Sequence, residues 1–300
     1  MDRAVESGPD RDGVAALATG DAFADLSSWR KVRVVGSDAR GWLNDLLTAD
    51  IADLPPGFAA RSLLLSPTGR IRADVTIAVL TPGFLLVQDP SQPVDISRLL
   101  APYVLSSDVQ LQDQTDSLCL LAFPGREPSE VHGADSYRPS ALGTGADLVA
   151  PSGARDVIRR AAAPFIEADV GAVRAWWIRA GVARFPVDLG EDSLPHEAAL
   201  DPFIGYEKGC FLGQEAVAKV RNLGHPPFLL LAAHTARPVE AGEPVQDEAG
   251  REVGSVTSAT PVPEGGAAVI ARIRWRARQG PLTTPSGGAL VRPRPASGGA

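Results

Sequence analysis

The stretch that decides how this chain is interpreted is residues 206–215, which read Tyr-Glu-Lys-Gly-Cys-Phe-Leu-Gly-Gln-Glu. Glycines beside polar groups indicate a backbone that approaches a ligand closely, since glycine has no Cβ. Lys208 lies two residues before Cys210, and a nearby ammonium favours the thiolate, which is the nucleophilic form of cysteine. Cys210 and Lys208 are therefore the predicted catalytic residues. The alternative for Cys210 is a small buried hydrophobe, which is common for an isolated cysteine.

The residues on either side extend this polar region. Residues 194–201, which read LPHEAALD, contribute Glu197. Gln214 and Glu215 follow a glycine at the start of a predicted helix, so they either bind a ligand or serve to begin that helix. The histidines and cysteines show no CxxC or HExxH spacing, so no metal site is predicted. Walker A, GxGxxG and nucleophile-elbow sequences are also absent from the sequence.

Composition excludes several classes of protein. The chain has 300 residues, of which 44% are hydrophobic and 22% charged, with a net charge of −7. These values are typical of a globular protein of about two domains. No apolar run is long enough to cross a membrane, and residues 1–20 lack the apolar segment of a secretory signal. Two cysteines are too few for a disulfide framework, so we expect a cytoplasmic protein without a membrane partner.

Lysine is scarce in this chain. Of 29 basic residues, three are lysines: Lys31, Lys208 and Lys219. A genome that favours arginine codons would explain the bias. The lysines that persist then mark positions where a planar guanidinium does not replace an ammonium.

Hydrophobic periodicity predicts an α+β fold. Residues 39–47 have the apolar spacing of a short helix, and residues 59–66 and 71–80 are predicted as two strands joined by a Pro-Thr-Gly turn. From residue 228 onward, short strands separated by Gly and Pro turns predict a small β-barrel. The predicted organisation is a disordered leader (1–20), an α+β region with two subdomains (21–225), a C-terminal barrel (226–280) and a disordered tail (281–300).

The C-terminal segment is basic. Residues 271–300 contain six arginines and no acid, which leaves −13 for the remainder of the chain. Arg272, Arg274, Arg276 and Arg278 alternate with other residues, which predicts one arginine-lined face of a strand. That face is either solvated or a docking surface for RNA or another partner. The negative net charge argues against tight binding of nucleic acid in general.

Residues 208–215 resemble the K-G-C-[YF]-x-G-Q-E signature of the YgfZ family, folate-binding relatives of the glycine-cleavage T-protein. Three further segments resemble the family in the same order: GWLNDLLTADI at 41–51, LSPTGRI at 65–71 and VGSVTS at 253–258. The resemblance covers roughly residues 25–280. It implies a T-protein-like cloverleaf in which two α+β subdomains and a small C-terminal barrel surround a site for tetrahydrofolate. It also implies a role in assembling or repairing iron–sulfur enzymes, including ones that modify tRNA, with those enzymes as clients.

The same comparison raises a doubt about one-carbon transfer. Where T-proteins carry a pterin-binding glutamate, this chain has Arg179, and a guanidinium donates hydrogen bonds but accepts none. Asp74 matches the second aspartate of the T-protein I-D-D segment, and Ala73 replaces the first. A folate-dependent aminomethyltransferase is therefore the alternative reading, and a non-enzymatic RNA- or partner-binding module is another. The candidate cofactor-binding residues are Asn44, Asp45, Asp74, Arg179, Glu197, Lys208, Gln214 and Glu215.

Overall fold

A computed structural model describes residues 10–128 and 131–292 of the chain. The predicted disorder of residues 1–9 and 293–300 lies outside the described residues. The fold is α+β, as predicted, with three β-sheets. Two compact units are present. The first takes its described residues from Met1–Thr68, Arg72–Arg174 and Pro202–Gln214, and the second from Gly69–Ile71, Ala175–Asp201 and Glu215–Ala300.

The elements up to the fifth helix are short and mixed in type. In chain order they are α1 (Arg11–Thr19), β1 (Ala22–Asp25), β2 (Arg30–Val35), α2 (Ala39–Leu46), β3 (Ala59–Leu65), β4 (Ile71–Val79), β5 (Phe84–Gln88), α3 (Ile96–Leu100), β6 (Gln110–Asp113), β7 (Leu118–Phe123), β8 (Asp135–Tyr137), β9 (Ala146–Pro151), α4 (Arg155–Ala161), β10 (Ile166–Glu167) and α5 (Val170–Arg179). They form two five-stranded sheets, with strand orders β10-β1-β7-β9-β8 and β3-β4-β5-β2-β6.

The predicted helix at residues 39–47 and the predicted hairpin are both present. Trp42, Leu43 and Leu46 of α2 are buried and share one apolar core with residues of β2, β4 and β5. Strands β3 and β4 are neighbours in their sheet, and the turn between them contains Gly69 with φ of +75°. That left-handed conformation is one that residues with a side chain rarely adopt. The sequence patterns predicted α2 and the hairpin correctly because each of them forms from residues that are close together in the sequence.

The remaining elements are α6 (Gln214–Leu223), β11 (Phe228–Thr235), β12 (Pro244–Gln246), β13 (Glu252–Pro261), β14 (Ala267–Arg274), β15 (Thr283–Thr284) and β16 (Gly288–Ala289). The six strands make one sheet in the order β11-β14-β13-β12-β15-β16. An antiparallel bridge between His234 and Val291 brings the first strand against the residues that follow the last one. The sheet therefore curls toward a barrel, as the sequence predicted.

The structure corrects the predicted boundaries. Disorder is wrong for residues 11–19, which form α1: the Asp10 side chain accepts from the Asp12 N–H at 3.1 Å, and Val14 and Leu17 are buried. It is also wrong for the start of the predicted tail, where β15 and β16 extend the barrel sheet. Residues 175–201 and 215–225 fall in the same compact unit as the barrel strands, so this unit is larger than residues 226–280.

Among the described residues, no helix combines the length and the apolar character needed to span a bilayer.

Candidate functional site

Residues 205–213, here named the KGC loop, lie along the turn that follows α2. The Thr48 hydroxyl donates to the Phe203 carbonyl at 2.9 Å, and the Gly205 N–H donates to the Thr48 carbonyl at 2.8 Å. At the other end, the Leu212 N–H donates to the Asp45 carbonyl at 3.0 Å. The KGC loop is therefore attached to the α2 turn near both of its ends, across a sequence separation of about 160 residues.

Lys208 makes the central attachment. Its ammonium donates to the carbonyls of Leu47 at 2.5 Å and Ala49 at 2.8 Å, and also to the carbonyl of Asn44. Carbonyls at the end of a helix lack intrahelical partners and carry partial negative charge, so a cation is favoured there. Burial lowers the pKa of Lys208 to about 8, although the nearby Asp50 carboxylate raises it. All three ammonium protons thus have backbone acceptors, which differs from the predicted role of Lys208 in catalysis or folate contact.

Cys210 is the exposed residue of the loop. It follows Gly209, whose φ is +101°, and precedes Phe211, which is buried, with Lys208 Nζ lying 5.1 Å from the Phe211 ring centre. The other cysteine, Cys119, is 1% exposed. Of the two alternatives for Cys210, the structure therefore favours an accessible thiol over a buried hydrophobe.

Asn44 and Asp45 belong to the same region. The Asn44 side-chain oxygen accepts from the Ile51 N–H at 3.1 Å, which closes the turn after α2. Asp45 is exposed, and its carboxylate raises the pKa of Lys208. Asn44 is thus occupied in shaping the turn, whereas the Asp45 carboxylate faces solvent.

Asp74 is held in an ion pair that the sequence did not suggest. Arg61 donates from Nε to one carboxylate oxygen at 3.0 Å and from Nη2 to the other at 2.5 Å. The Asp74 and Arg61 side chains are 11% and 22% exposed, and the guanidinium lies 4.8 Å from the Phe203 ring centre. The Gln92 side chain also donates to the Asp74 carbonyl at 2.6 Å. Both carboxylate oxygens of Asp74 are therefore engaged by one guanidinium.

Glu197, which lies in the second unit, is also engaged. It is 1% exposed and sits in a short 3-10 helix, Pro195–Ala198. One oxygen accepts from Arg272 Nε at 2.9 Å and lies 2.9 Å from Arg272 Nη2 in an ion pair, and the other accepts from the Leu194 N–H at 3.2 Å. Burial raises the pKa of Glu197, an effect that Arg272 opposes. This environment is that of an internal ion pair.

Arg179, at the end of α5, keeps an unused donor. Its Nη2 donates to the Pro261 carbonyl at 2.8 Å. Its Nε is buried and has no hydrogen-bond acceptor within the described part of the chain. A buried donor without an acceptor costs free energy, so a ligand atom that accepts a hydrogen bond would be favoured there.

Gln214 and Glu215 are the first two residues of α6. The Gln214 N–H donates to the Phe211 carbonyl at 3.1 Å, and Glu215 is exposed. A carboxylate in the first turn stabilises a helix by about 0.3–1 kcal/mol. These placements favour the helix-start alternative, and the ligand-binding alternative for both residues stays a prediction.

One polar network in the second unit was missed. Asp188 is 3% exposed and accepts from the hydroxyls of Thr257 at 2.6 Å and Ser258 at 2.7 Å, and from the Arg184 N–H at 2.9 Å. The two hydroxyls belong to the VGSVTS segment. That segment therefore ties the Arg184–Asp188 turn to β13. The sequence signal for this network is the pair Thr257 and Ser258, two hydroxyl residues in a strand that is otherwise expected to carry apolar residues on its buried face.

The predicted arginine face is wrong in part. Arg272 and Arg274 lie on β14, but the chain leaves the strand at Trp275, so Arg276 and Arg278 do not continue the row. The Arg272 guanidinium is used by the internal pair with Glu197. Within the described residues, no three His, Cys, Asp or Glu side chains gather as metal ligands.

Comparison with known proteins relates this geometry to a family. The family profile of the GCVT N-terminal domain matches residues 10–132. A protein named putative transferase, chloroplastic, from Arabidopsis thaliana is 25% identical over an alignment that covers 84% of this chain and 64% of that protein, less than two thirds of its length. An aminomethyltransferase from Streptomyces avermitilis is also 25% identical, over 87% of this chain and 80% of the relative.

Solved structures give the same fold. The glycine cleavage system aminomethyltransferase T from Bartonella henselae aligns with a TM-score of 0.79 and 20% identity, covering 94% of this chain and 89% of that one. The fold of this chain is thus T-protein-like, as the sequence predicted, and residues 10–132 are similar to the GCVT N-terminal domain. The narrower resemblance to the YgfZ family stays a prediction.

Proposed function

We propose that this chain is a tetrahydrofolate-binding accessory protein of YgfZ type that supports the assembly or repair of iron–sulfur enzymes, including ones that modify tRNA. Proteins of the aminomethyltransferase and GCVT family bind tetrahydrofolate as substrate or cofactor. The iron–sulfur proteins are clients of the chain in this proposal, and an iron–sulfur cluster is cargo of the system, not a resident group.

The observation that carries the proposal is the exposed Cys210 thiol at the centre of an anchored loop. A thiol that works on another protein must be accessible, and a loop attached near both ends presents it at a defined place. Phe203, Gly205 and Leu212 supply those attachments through hydrogen bonds with the α2 turn. The K-G-C-F-x-G-Q-E stretch is thus an arrangement that displays one cysteine.

The hydrogen-bonding groups of the candidate residues match those of folate in part. Folate offers carbonyl and carboxylate oxygens, and Arg179 has a buried Nε–H available for such an acceptor. The N–H donors of a pterin need a carboxylate or carbonyl. Asp74 and Glu197 are occupied by arginines, so among the predicted carboxylates Asp45 and Glu215 remain for that purpose. Arg179 would hold an acceptor atom of the folate, and the folate when bound would supply one-carbon or redox chemistry of its own.

An aminomethyltransferase is the second candidate, because relatives that align over most of this chain carry that name. A carboxylate that positions an amine or accepts a proton needs a free oxygen. Both oxygens of Asp74 accept from Arg61. The transferase alternative therefore requires Asp74 to use a remaining lone pair or to separate from Arg61 during turnover, and the accessory role requires neither.

Two measurements test the proposal. Calorimetric titration with tetrahydrofolate should give saturable one-site binding, weakened in an Arg179→Gln variant. In a deletion strain, the wild-type chain should restore the activity of iron–sulfur enzymes, and a Cys210→Ala variant of equal abundance should not. Full restoration by Cys210→Ala would overturn the thiol role. Production of methylenetetrahydrofolate from an aminomethyl donor would favour the transferase.

A further inference from the structure

Two of the three lysines of this chain donate hydrogen bonds to backbone carbonyls. Lys31 is 0% exposed, and its ammonium donates to the carbonyls of Ser27 at 2.9 Å and Trp29 at 2.7 Å. Lys208 donates to three carbonyls. Lys219, on α6, is exposed. Two of the three lysines are thus compact ammonium groups enclosed by converging backbone oxygens.

Such a site discriminates between lysine and arginine. An ammonium directs three N–H bonds from one atom, whereas a guanidinium spreads five N–H bonds over a rigid plane. The carbonyls that surround Lys208 Nζ come from Asn44, Leu47 and Ala49, within one tight turn. A planar group on a longer side chain cannot place three donors at this point without moving the loop or the turn.

We propose that Lys208 is a positioning residue, which holds the KGC loop on the α2 turn so that the Cys210 thiol stands at a fixed place on the surface. This inference rests on the proposed function, in which Cys210 is the working thiol. Lys208 acts through the backbone, since its three protons are used by carbonyls.

The path from Lys208 to the thiol is short and constrained. One residue, Gly209, separates Lys208 from Cys210, and the next residue, Phe211, is buried with its ring 5.1 Å from Lys208 Nζ. Cys210 thus lies between Lys208, which is held by hydrogen bonds, and Phe211, which is buried. Without the hydrogen bonds of Lys208, the nearest polar attachment of Cys210 to the α2 turn is the hydrogen bond of the Leu212 N–H.

The test compares four variants of the full chain. Lys208→Met keeps most of the side-chain volume and removes the donors, and Lys208→Arg keeps the charge. Lys31→Met is the matched control, because it removes a buried ammonium from carbonyls elsewhere in the same unit. Cys210→Ser reports the thiol itself. Each is measured by hydrogen exchange of the Gly205 and Leu212 amides, by urea unfolding and by restoration of iron–sulfur enzyme activity in a deletion strain.

We expect Lys208→Met to change the order of the KGC loop and Lys31→Met to leave that loop unchanged. In Lys208→Met, protection of the two amides should fall by on the order of tenfold or more, since a hydrogen bond from a charged donor contributes at least that factor. Activity should fall toward that of Cys210→Ser. Lys31→Met should lower the unfolding midpoint while keeping loop protection and activity.

Other outcomes separate the possible failures. Wild-type loop protection and activity in Lys208→Met would overturn the inference, and the same behaviour in Lys208→Arg would overturn the requirement for an ammonium. If Lys208→Met does not fold, Lys208→Arg carries the comparison. Full activity of Cys210→Ser would refute the thiol role in the proposed function, while the exchange data would still decide whether Lys208 orders the loop.

Discussion

Replacing Asp74 by asparagine should cost stability and leave folate binding intact. The substitution removes one charge from a pair in which Arg61 contacts both carboxylate oxygens, at 3.0 and 2.5 Å. The amide keeps one oxygen acceptor and turns the other position into a donor facing the guanidinium. The variant therefore has a mostly buried cation with half of its hydrogen bonds.

The magnitude follows from the burial of the pair. Removing one partner of a fully buried pair costs about 3–5 kcal/mol. Asp74 and Arg61 are 11% and 22% exposed, so solvent recovers part of that loss. We expect Asp74→Asn to lower the free energy of unfolding by about 2–4 kcal/mol. Arg61→Met should cost a similar amount, because it leaves an uncompensated carboxylate.

The assay is urea unfolding of Asp74→Asn, Arg61→Met and the double variant at one pH and salt concentration. Because the two side chains are in contact, the cycle should give a coupling energy of about 1–3 kcal/mol. In parallel, calorimetry should give a tetrahydrofolate dissociation constant for Asp74→Asn within about twofold of the wild type, less than 0.5 kcal/mol. Unfolding measured with and without folate keeps stability and affinity apart.

The opposite pattern would refute the reasoning. If Asp74→Asn leaves the unfolding free energy unchanged and weakens tetrahydrofolate binding tenfold or more, then Asp74 is a ligand group and its pairing with Arg61 has little energetic weight. The transferase reading would then gain the free carboxylate that it requires.

Three further outcomes can be checked. Burial raises the pKa of Asp147 to about 6 from a usual value of 3.8, so ionisation of this group lowers the free energy of unfolding as pH rises from about 4 to 6. An Asp147→Asn variant should lack this pH dependence. Between pH 4 and pH 7, the unfolding free energies of the two proteins, measured in urea, should therefore diverge by about 3 kcal/mol. A thiol reagent should label Cys210 in the native protein and Cys119 after unfolding, and prompt labelling of both would contradict the burial of Cys119. Asp188→Ala removes an acceptor shared by the Thr257 and Ser258 hydroxyls and the Arg184 N–H, and it should lower the unfolding free energy by about 1–3 kcal/mol. An unchanged unfolding free energy would show that this network adds little stability.

Much of the fold could be predicted from local patterns. The α2 helix and the hairpin of β3 and β4 follow from apolar spacing and from turn residues, which act over a few positions. The barrel strands carry the same kind of signal. The ends of the chain were misjudged because residues 11–19 and 283–289 are rich in small and turn-forming residues. Their order comes from burial against other parts of the chain, as in Val14 and Leu290, which composition does not reveal.

The sequence selected residues that the structure brings together around the α2 turn, and it did not predict their contacts. Lys208 and Asn44 were both selected, but a pattern within ten residues cannot reveal that an ammonium meets carbonyls far away in sequence. Arg61 was not selected, because an arginine in a strand is ordinarily solvated. Its pairing with Asp74 depends on the register of neighbouring strands, which the sequence specifies through the whole sheet.

The Arg61–Asp74 ion pair and the hydrogen bonds of Lys208, both in the first unit, have opposite consequences for the candidate reactive groups. Arg61 engages both carboxylate oxygens of Asp74, so that carboxylate is less available to a ligand. Lys208 does the reverse for Cys210, because it binds backbone oxygens and leaves the thiol exposed. The paired Asp74 and the exposed Cys210 therefore agree better with the proposed accessory role than with the transferase alternative. If the accessory role is correct, an Arg61 variant should lose stability because its ion pair with Asp74 is broken, and it should restore iron–sulfur enzymes in proportion to the amount of folded protein. A Lys208 variant should instead lose activity even while it is folded.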